Sequence, residues 1–117
     1  MREFNPGEHD ALNFIHITDT HLLDHADDTL KGVNTLDSFV AVIHEATHRH
    51  AEADFILLTG DISQHGSTAS YELLTTVLSS YQLPIYAIPG NHDNPALLNH
   101  VVPSSPVNGL NIFELHE

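Results

Sequence analysis

The sequence contains no cysteine and no tryptophan, and only three of its 117 residues are lysine or arginine. Without cysteine, neither a disulfide framework nor a thiolate metal site can form. The sequence has 16 acidic residues and a formal charge of −13. With so few positive side chains, the protein is not expected to bind long nucleic acids through a basic face. No apolar run approaches the roughly 20 residues that a membrane helix needs. Because the polar start also lacks the apolar centre of a signal peptide, we expect a cytoplasmic protein.

Histidine is the residue in excess, with eleven in the chain. It is the commonest metal ligand in proteins. Four histidines lie inside a predicted strand or helix and are interpreted as packed or solvated side chains rather than ligands: His16, His44, His48 and His50. His25 and His65 lie in predicted loops, where a contact to a substrate is an open alternative.

The pattern of apolar residues predicts one domain of the α/β class, with a flexible lead-in over residues 1–11. Short apolar or β-branched runs predict strands at residues 12–18, 54–59, 85–88 and 110–115. Helical spacing predicts helices over residues 34–50 and from about 67 to 81, and a third from residue 94. The order β-α-β-α-β-α-β implies a mostly parallel sheet with right-handed crossovers.

Turn and capping residues set the predicted boundaries of these elements. Asn34, either Ser67 or Thr68, and the pair Asn94-Pro95 are residues that favour helix starts. The polar stretch 24–32 is predicted to be a long loop without structure of its own, and 102–108 a second loop.

Metal-competent side chains follow three of the predicted strands. Asp19 and His21 follow the first strand, Asp61 the second, and Asn91 with His92 the third. Because the carboxyl ends of parallel strands meet at one edge of a sheet, these side chains should lie together. Carboxylate, imidazole and amide groups suit manganese, iron, zinc or magnesium. The sequence therefore predicts a metal-assisted hydrolase site in which a lone aspartate could bridge two cations.

Simpler interpretations exist for single residues of this set. Asp61 alone could cap a turn, and Asp93 could anchor its turn rather than touch metal. Asp24, Asp27 and Asp28 are most simply a solvated loop. The co-occurrence of three motifs at successive strand ends favours the metal site.

The segments Asp19-Thr20-His21, Gly60-Asp61 and Gly90-Asn91-His92-Asp93 resemble, in order and spacing, the motifs of calcineurin-like metallophosphoesterases. The flanking residues 17–22 and 32–35 look most like the bacterial 3′,5′-cyclic-AMP phosphodiesterases of that superfamily. The resemblance covers about residues 14–95. It implies a four-layer α/β/β/α sandwich, of which residues 12–117 would form the N-terminal part of a single metallophosphoesterase domain.

The resemblance also implies a role for each site residue. Asp19 and His21 would bind a first metal, Asp61 would bridge two, and Asn91 would bind the second. Asn91 and His92 would contact the substrate, and His92 would act catalytically by stabilising charge on the phosphoryl group or protonating the leaving oxygen. The two divalent ions would be iron or manganese, with zinc and magnesium as alternatives.

The implied reaction is hydrolysis of a small phosphodiester, 3′,5′-cyclic AMP, by a metal-bound hydroxide that attacks phosphorus in line. The cations would neutralise the substrate, so lysine and arginine are not required.

The family's later histidines, one after a further strand and two in a Gly-His-x-His motif, are absent from the sequence. The chain is therefore expected to be the first half of the domain, with an incomplete second metal site. The alternatives are a catalytically poor fragment that binds at most one metal, and a phosphomonoesterase or nuclease branch of the superfamily. An uncovered sheet edge in such a half-domain would favour self-association.

Overall fold

A computed structural model of the protein describes residues 13–102, in which strands and helices follow the predicted order except for an additional pair of short strands before the first helix. The elements, in chain order, are β1 (Phe14–Thr18), β2 (Thr29–Leu30), β3 (Val33–Asn34), α1 (Thr35–Arg49), β4 (Phe55–Thr59), α2 (Thr68–Leu78), β5 (Ile85–Ala87) and α3 (Pro95–Val101). The predicted lead-in over 1–11 and the predicted strand over 110–115 lie outside the described residues. No helix in residues 13–102 is long and apolar enough to cross a membrane.

Among residues 13–102, the main sheet has three strands in the order β1-β4-β5, and both pairings are parallel. β1 and β4 are in register over their whole length, from Phe14 opposite Phe55 to Thr18 opposite Thr59. The α/β class and the parallel sheet are thus confirmed. Because the strands run the same way, the segments that leave β1, β4 and β5 emerge at one edge of the sheet.

One face of this sheet packs against the helices and forms the core. Alternate residues of each strand point to this face, as the pleat of a β-strand requires. The core joins β1, β4 and β5 to the apolar sides of α1 and α2, through residues that include Ile15, Ile17, Ile56, Leu58, Ile85, Phe39, Ile43 and Leu74. Burying each such side chain contributes about 1.5–3 kcal/mol, so the core fixes where the strand ends lie.

Each of the three helices in the described part of the chain begins at a capping residue that the sequence predicts. The side chain of Asn34 accepts a hydrogen bond from the backbone N–H of Asp37, and Asn94 caps α3 ahead of Pro95 in the same way. Ser67, rather than Thr68, caps α2. The helix expected to reach residue 81 is shorter than predicted, because α2 ends at Leu78.

The prediction of a structureless loop over residues 24–32 is wrong for its second half, since residues 24–28 contain only bends and turns. The second half of this stretch enters an antiparallel hairpin in which β2 pairs with β3. Its two-residue turn, Lys31 and Gly32, has φ values of 51° and 82°. Positive φ at both central positions is the geometry of a type I′ turn, whose twist matches that of paired strands. The sequence feature that indicates this hairpin is Gly32, which lies between the two short strands and tolerates the positive φ of the turn.

Candidate metal centre

The loops that follow β1 and β4 run side by side beyond the end of the sheet. Backbone N–H groups of Asp19, His21 and Leu22 donate to the carbonyl oxygens of Thr59, Asp61 and Ile62 at 3.0, 2.9 and 2.8 Å. These hydrogen bonds extend the parallel pairing past the last residues of the strands. The first two motifs are therefore held in fixed register by main-chain contacts alone.

Asp19, His21 and Asp61 bring their side chains together at this edge. One ligand atom from each residue lies within 4.8 Å of the others. His21 Nε2 lies 3.8 Å from a carboxylate oxygen of Asp19, and the two side chains are 29% and 58% exposed. Within residues 13–102, no other group of three histidine, aspartate or glutamate side chains comes this close. The exposed histidines of α1 (His44 and His48) take no part in it.

The backbone at Asp19 and His21 adopts a conformation that side chains generally avoid. Their φ values are 56° and 47°, in the left-handed region, where a Cβ crowds the following carbonyl group. Aspartate and histidine tolerate this region better than most residues do. Such strained residues persist where the surrounding structure holds them, and they cluster at functional sites. The turn after β1 therefore aims both side chains toward Asp61.

Two glycines leave room for the carboxylates. Gly60 has a φ of +74°, and a Cβ added there would lie 2.7 Å from Asp19 Oδ1. A Cβ on Gly90 would overlap the carboxylate of Asp61 and the adjoining backbone. These close approaches explain why glycine precedes the metal-competent residues in the second and third motifs.

Asn91 and His92 lie in the turn after β5, next to the cluster. The backbone N–H of His92 donates to Asp61 Oδ1 at 2.9 Å. The imidazole rings of His92 and His21 have centroids 6.4 Å apart and are nearly perpendicular. Asn91 is exposed, one residue before His92. The structure thus brings the third motif to the same edge as the first two.

Asp93 holds this turn in place. Its carboxylate accepts hydrogen bonds from the backbone N–H groups of Ile62, Ser63 and Gly90 at 3.0, 2.8 and 2.8 Å. It also accepts one from the hydroxyl of Tyr71 at 2.7 Å. Ile62 and Ser63 belong to the loop after β4, so their hydrogen bonds tie the turn after β5 to that loop, while Tyr71 ties it to α2. The interpretation of Asp93 as a turn anchor is confirmed.

Tyr71 contacts this turn, whereas the sequence places it only on the apolar face of α2. Its hydroxyl donates to Asp93 and accepts from the backbone N–H of Asn94 at 2.9 Å. Burial, together with the hydrogen bond to Asp93, raises the pKa of Tyr71 well above its usual value of 10.0. The signal in the sequence was a polar hydroxyl on an otherwise apolar helix face, which requires a buried partner.

Gln64 is the second residue that sequence reasoning missed. Its amide oxygen lies 2.7 Å from Nδ1 of His21, and its backbone carbonyl oxygen lies 3.0 Å from Nδ1 of His92. The contact between Gln64 and His21 joins residues 43 positions apart. No local pattern in the sequence reveals such a pair.

The donor set fits a hard or borderline divalent cation. Two carboxylates and an imidazole converge, and like charges at this spacing repel each other unless a cation lies between them. The sequence has only three lysine and arginine residues. One of them, Arg49, pairs with Glu45 on α1. A divalent cation would suit these three side chains, and Asp61 lies between the first motif and the third.

A cavity of about 480 Å³ adjoins the cluster. Its wall includes Asp19 and His21 on one side and Lys31, from the β2–β3 turn, on another. The remaining lining is mostly apolar and comes from β1, the hairpin and α1. A cavity of this size has the dimensions of a small-molecule site.

Comparison with known proteins agrees with this geometry. Residues 12–116 match the sequence profile of the calcineurin-like phosphoesterase family. The chain is 38% identical over 97 residues to the 3′,5′-cyclic adenosine monophosphate phosphodiesterase CpdA of Vibrio vulnificus, an alignment that covers 83% of this chain and 35% of that protein. It is 42% identical over 82 residues to a 3′,5′-cyclic-nucleotide phosphodiesterase of Nostoc, covering 70% of this chain and 31% of that protein.

A third relative, the CpdA phosphodiesterase of Escherichia coli, is 38% identical over 87 residues, covering 74% of this chain and 32% of the relative. The chain thus spans about a third of the length of these curated relatives. The family match extends over nearly the whole sequence and includes all three motifs. The chain belongs to the calcineurin-like phosphoesterase family.

Proposed function

We propose that this chain provides the cation-binding part of a phosphodiesterase that hydrolyses a small phosphodiester such as 3′,5′-cyclic AMP. The observation that carries the proposal is the convergence of Asp19, His21 and Asp61, whose ligand atoms lie within 4.8 Å of one another at two strand ends. The relatives named as cyclic-nucleotide phosphodiesterases support the choice of substrate.

In this proposal, Asp19 and His21 hold one cation, Asp61 holds both, and Asn91 contributes to the second. Manganese and iron suit these ligands best, and zinc and magnesium are the alternatives. Divalent cations supply two things to phosphoester hydrolysis: they neutralise the phosphate, and they lower the pKa of water. This explains how a chain with three lysine and arginine residues can act on a phosphate.

His92 would be the catalytic side chain that meets the substrate. Its Nδ1 is engaged by the backbone oxygen of Gln64 at 3.0 Å, so Nε2 is the atom left for the substrate. In its protonated form, the imidazole can donate from Nε2 to the leaving oxygen, which is general acid catalysis. Asn91, its neighbour in the turn, would orient the phosphoryl group.

The cavity beside Asp19 favours a small substrate over a polymer. Its volume of about 480 Å³ and its largely apolar wall suit a compact organic group. The formal charge of −13 opposes binding of long nucleic acids. A cytoplasmic location, and self-association through an uncovered sheet edge, belong to this proposal as predictions from the sequence.

The test is hydrolysis of cyclic AMP and of a bis-aryl phosphodiester with added Mn²⁺. Wild type is compared with Asp61→Asn and with Asp27→Asn, which removes an exposed loop carboxylate. We expect Asp61→Asn to lose at least about 100-fold in rate, since removing even an outer contact of a metal ligand costs about 10- to 100-fold. Asp27→Asn should match wild type. Equal Mn²⁺-dependent rates in wild type and Asp61→Asn would contradict the proposal.

A further inference from the structure

Gln64 contacts two histidines of the site through different parts of the same residue. Its side-chain oxygen lies 2.7 Å from Nδ1 of His21, and its backbone oxygen lies 3.0 Å from Nδ1 of His92. We propose that Gln64 is the positioning residue of this centre, which sets the tautomer of His21 through its side chain and holds His92 through its backbone. The inference rests on the proposed cation site and extends it beyond the ligands.

The contact to His21 decides which nitrogen can bind a cation. An amide oxygen only accepts hydrogen bonds, so this contact requires the proton of the neutral imidazole to lie on Nδ1. Nε2 then carries the lone pair, and it is this atom that lies 3.8 Å from Asp19. In metal sites, the second ring nitrogen of a histidine ligand is generally held in this way by an oxygen acceptor. Gln64 would therefore keep His21 in its binding form before any cation arrives.

The contact to His92 does not depend on the identity of the side chain at position 64. The acceptor is the backbone carbonyl, and the backbone N–H of Gln64 donates to Leu22 at 3.0 Å, which fixes this peptide against the first loop. A side-chain substitution at Gln64 should therefore affect His21 and leave His92 in place. That separation makes the two roles distinguishable by experiment.

Because the Gln64 side chain is neutral, it accepts a hydrogen bond from His21 without adding a negative charge to the site. Asp19 and Asp61 already bring two carboxylates together. A third carboxylate at position 64 would orient His21 equally well and would raise its strength as a ligand, while adding negative charge. Gln64→Glu should thus bind a divalent cation at least as tightly as wild type. Gln64→Leu keeps the approximate volume and loses the acceptor, so its affinity should fall.

The first experiment reads the tautomers directly in the metal-free 117-residue chain. Long-range ¹H–¹⁵N correlation spectra near about pH 8, where free histidine is neutral, distinguish protonated from unprotonated ring nitrogens. The signals of His21 and His92 are identified by their loss in His21→Asn and His92→Asn. We expect His21 to be protonated on Nδ1 in wild type and to lose this form in Gln64→Leu, while His92 is unchanged in both proteins.

The second experiment measures Mn²⁺ affinity from the electron paramagnetic resonance signal of the free ion. We expect Gln64→Leu to bind Mn²⁺ about 10- to 100-fold more weakly than wild type, and Gln64→Glu to retain wild-type affinity or exceed it. Gln82→Leu is the matched control, because Gln82 is exposed and lines a separate surface pocket with Tyr81 and Leu83. This control should match wild type.

Two results would overturn the inference: protonation of His21 on Nε2 in wild type, or equal Mn²⁺ affinity in wild type and Gln64→Leu. Failure of the proposed function has a different signature, since wild type itself would then bind no more Mn²⁺ than Asp61→Asn.

Discussion

At the scale of single residues, the site depends on strained backbone conformations and on close approaches between side chains and backbone. Asp19 and His21 adopt left-handed φ values, and Gly60 allows Asp19 to lie directly against the backbone. Strain and close approach therefore occur together at the residues that form the cluster. Substitutions here should change cation binding separately from stability, because the strain is local and the candidate ligands are partly exposed.

Gly60 and Gly32 form a matched pair that tests this separation. Both have positive φ values, +74° and +82°, so alanine at either position should destabilise the protein by about 1–2 kcal/mol. A Cβ at Gly60 would also lie 2.7 Å from Asp19 Oδ1, whereas a Cβ at Gly32 would meet nothing within 4 Å. We therefore expect only Gly60→Ala to weaken Mn²⁺ binding. Urea denaturation and Mn²⁺ titration of both variants provide the measurement, and equal Mn²⁺ affinities would contradict the account.

At the scale of elements, the turn after β5 is attached to the loop after β4 by the hydrogen bonds of Asp93 and Tyr71. Tyr71 belongs to α2, so three elements of the fold meet at one carboxylate. Hydrogen bonds to a charged group contribute about 1.5–3 kcal/mol each, more than neutral ones do. This connection, more than the sheet itself, should determine the position of Asn91 and His92 relative to Asp61.

Tyr71→Phe should remove this connection with little change in volume. At neutral pH, we expect a loss of about 1.5–3 kcal/mol in the free energy of unfolding, since Asp93 and the N–H of Asn94 each lose a buried partner.

The pKa of Tyr71 is raised above 10.0 in the folded protein, so its contribution is fully present below pH 10.0. Above that pH the unfolded chain releases the phenolic proton and the folded one retains it, so the contribution declines. The stability gap between wild type and Tyr71→Phe should therefore narrow as the pH rises past 10.0, as measured by urea denaturation across this range. A gap that stays constant or widens would be inconsistent with the raised pKa.

The elements that sequence analysis predicted correctly are those with local signals. Asn34, Ser67 and Asn94 cap their helices as expected, and Asp19, His21 and Asp61 meet because parallel strands place their ends together. The hairpin over residues 29–34 was missed because its strands have two residues each, too short to show a period.

The supporting contacts of the site were missed for a different reason. Gln64 meets His21 across 43 positions, and Tyr71 meets Asp93 across 22. Such pairs arise only after the sheet has brought distant loops together, so spacing in the sequence does not encode them. The residues of the cluster could thus be named from the sequence, whereas the residues that contact them required the fold.

At the scale of the whole molecule, the net negative charge and the side chains of the site both favour binding of cations. A formal charge of −13 favours cations and disfavours polyanions, and the tightest group of potential ligands among residues 13–102 consists of two aspartates and a histidine. The chain belongs to a family of phosphoesterases while spanning about a third of its curated relatives. Its residues 13–102 nonetheless contain the strands, turns and supporting contacts that assemble this cluster.

The most direct test of the account is anomalous X-ray diffraction from crystals of this chain soaked in Mn²⁺, collected for wild type and for Asp61→Asn. We expect an anomalous difference peak within coordination distance of the Asp19 and Asp61 carboxylates and of Nε2 of His21, and its loss in the variant. A wild-type crystal with no peak between these residues, or with Mn²⁺ bound only at other histidines, would contradict the central claim that these three side chains form a divalent-cation site.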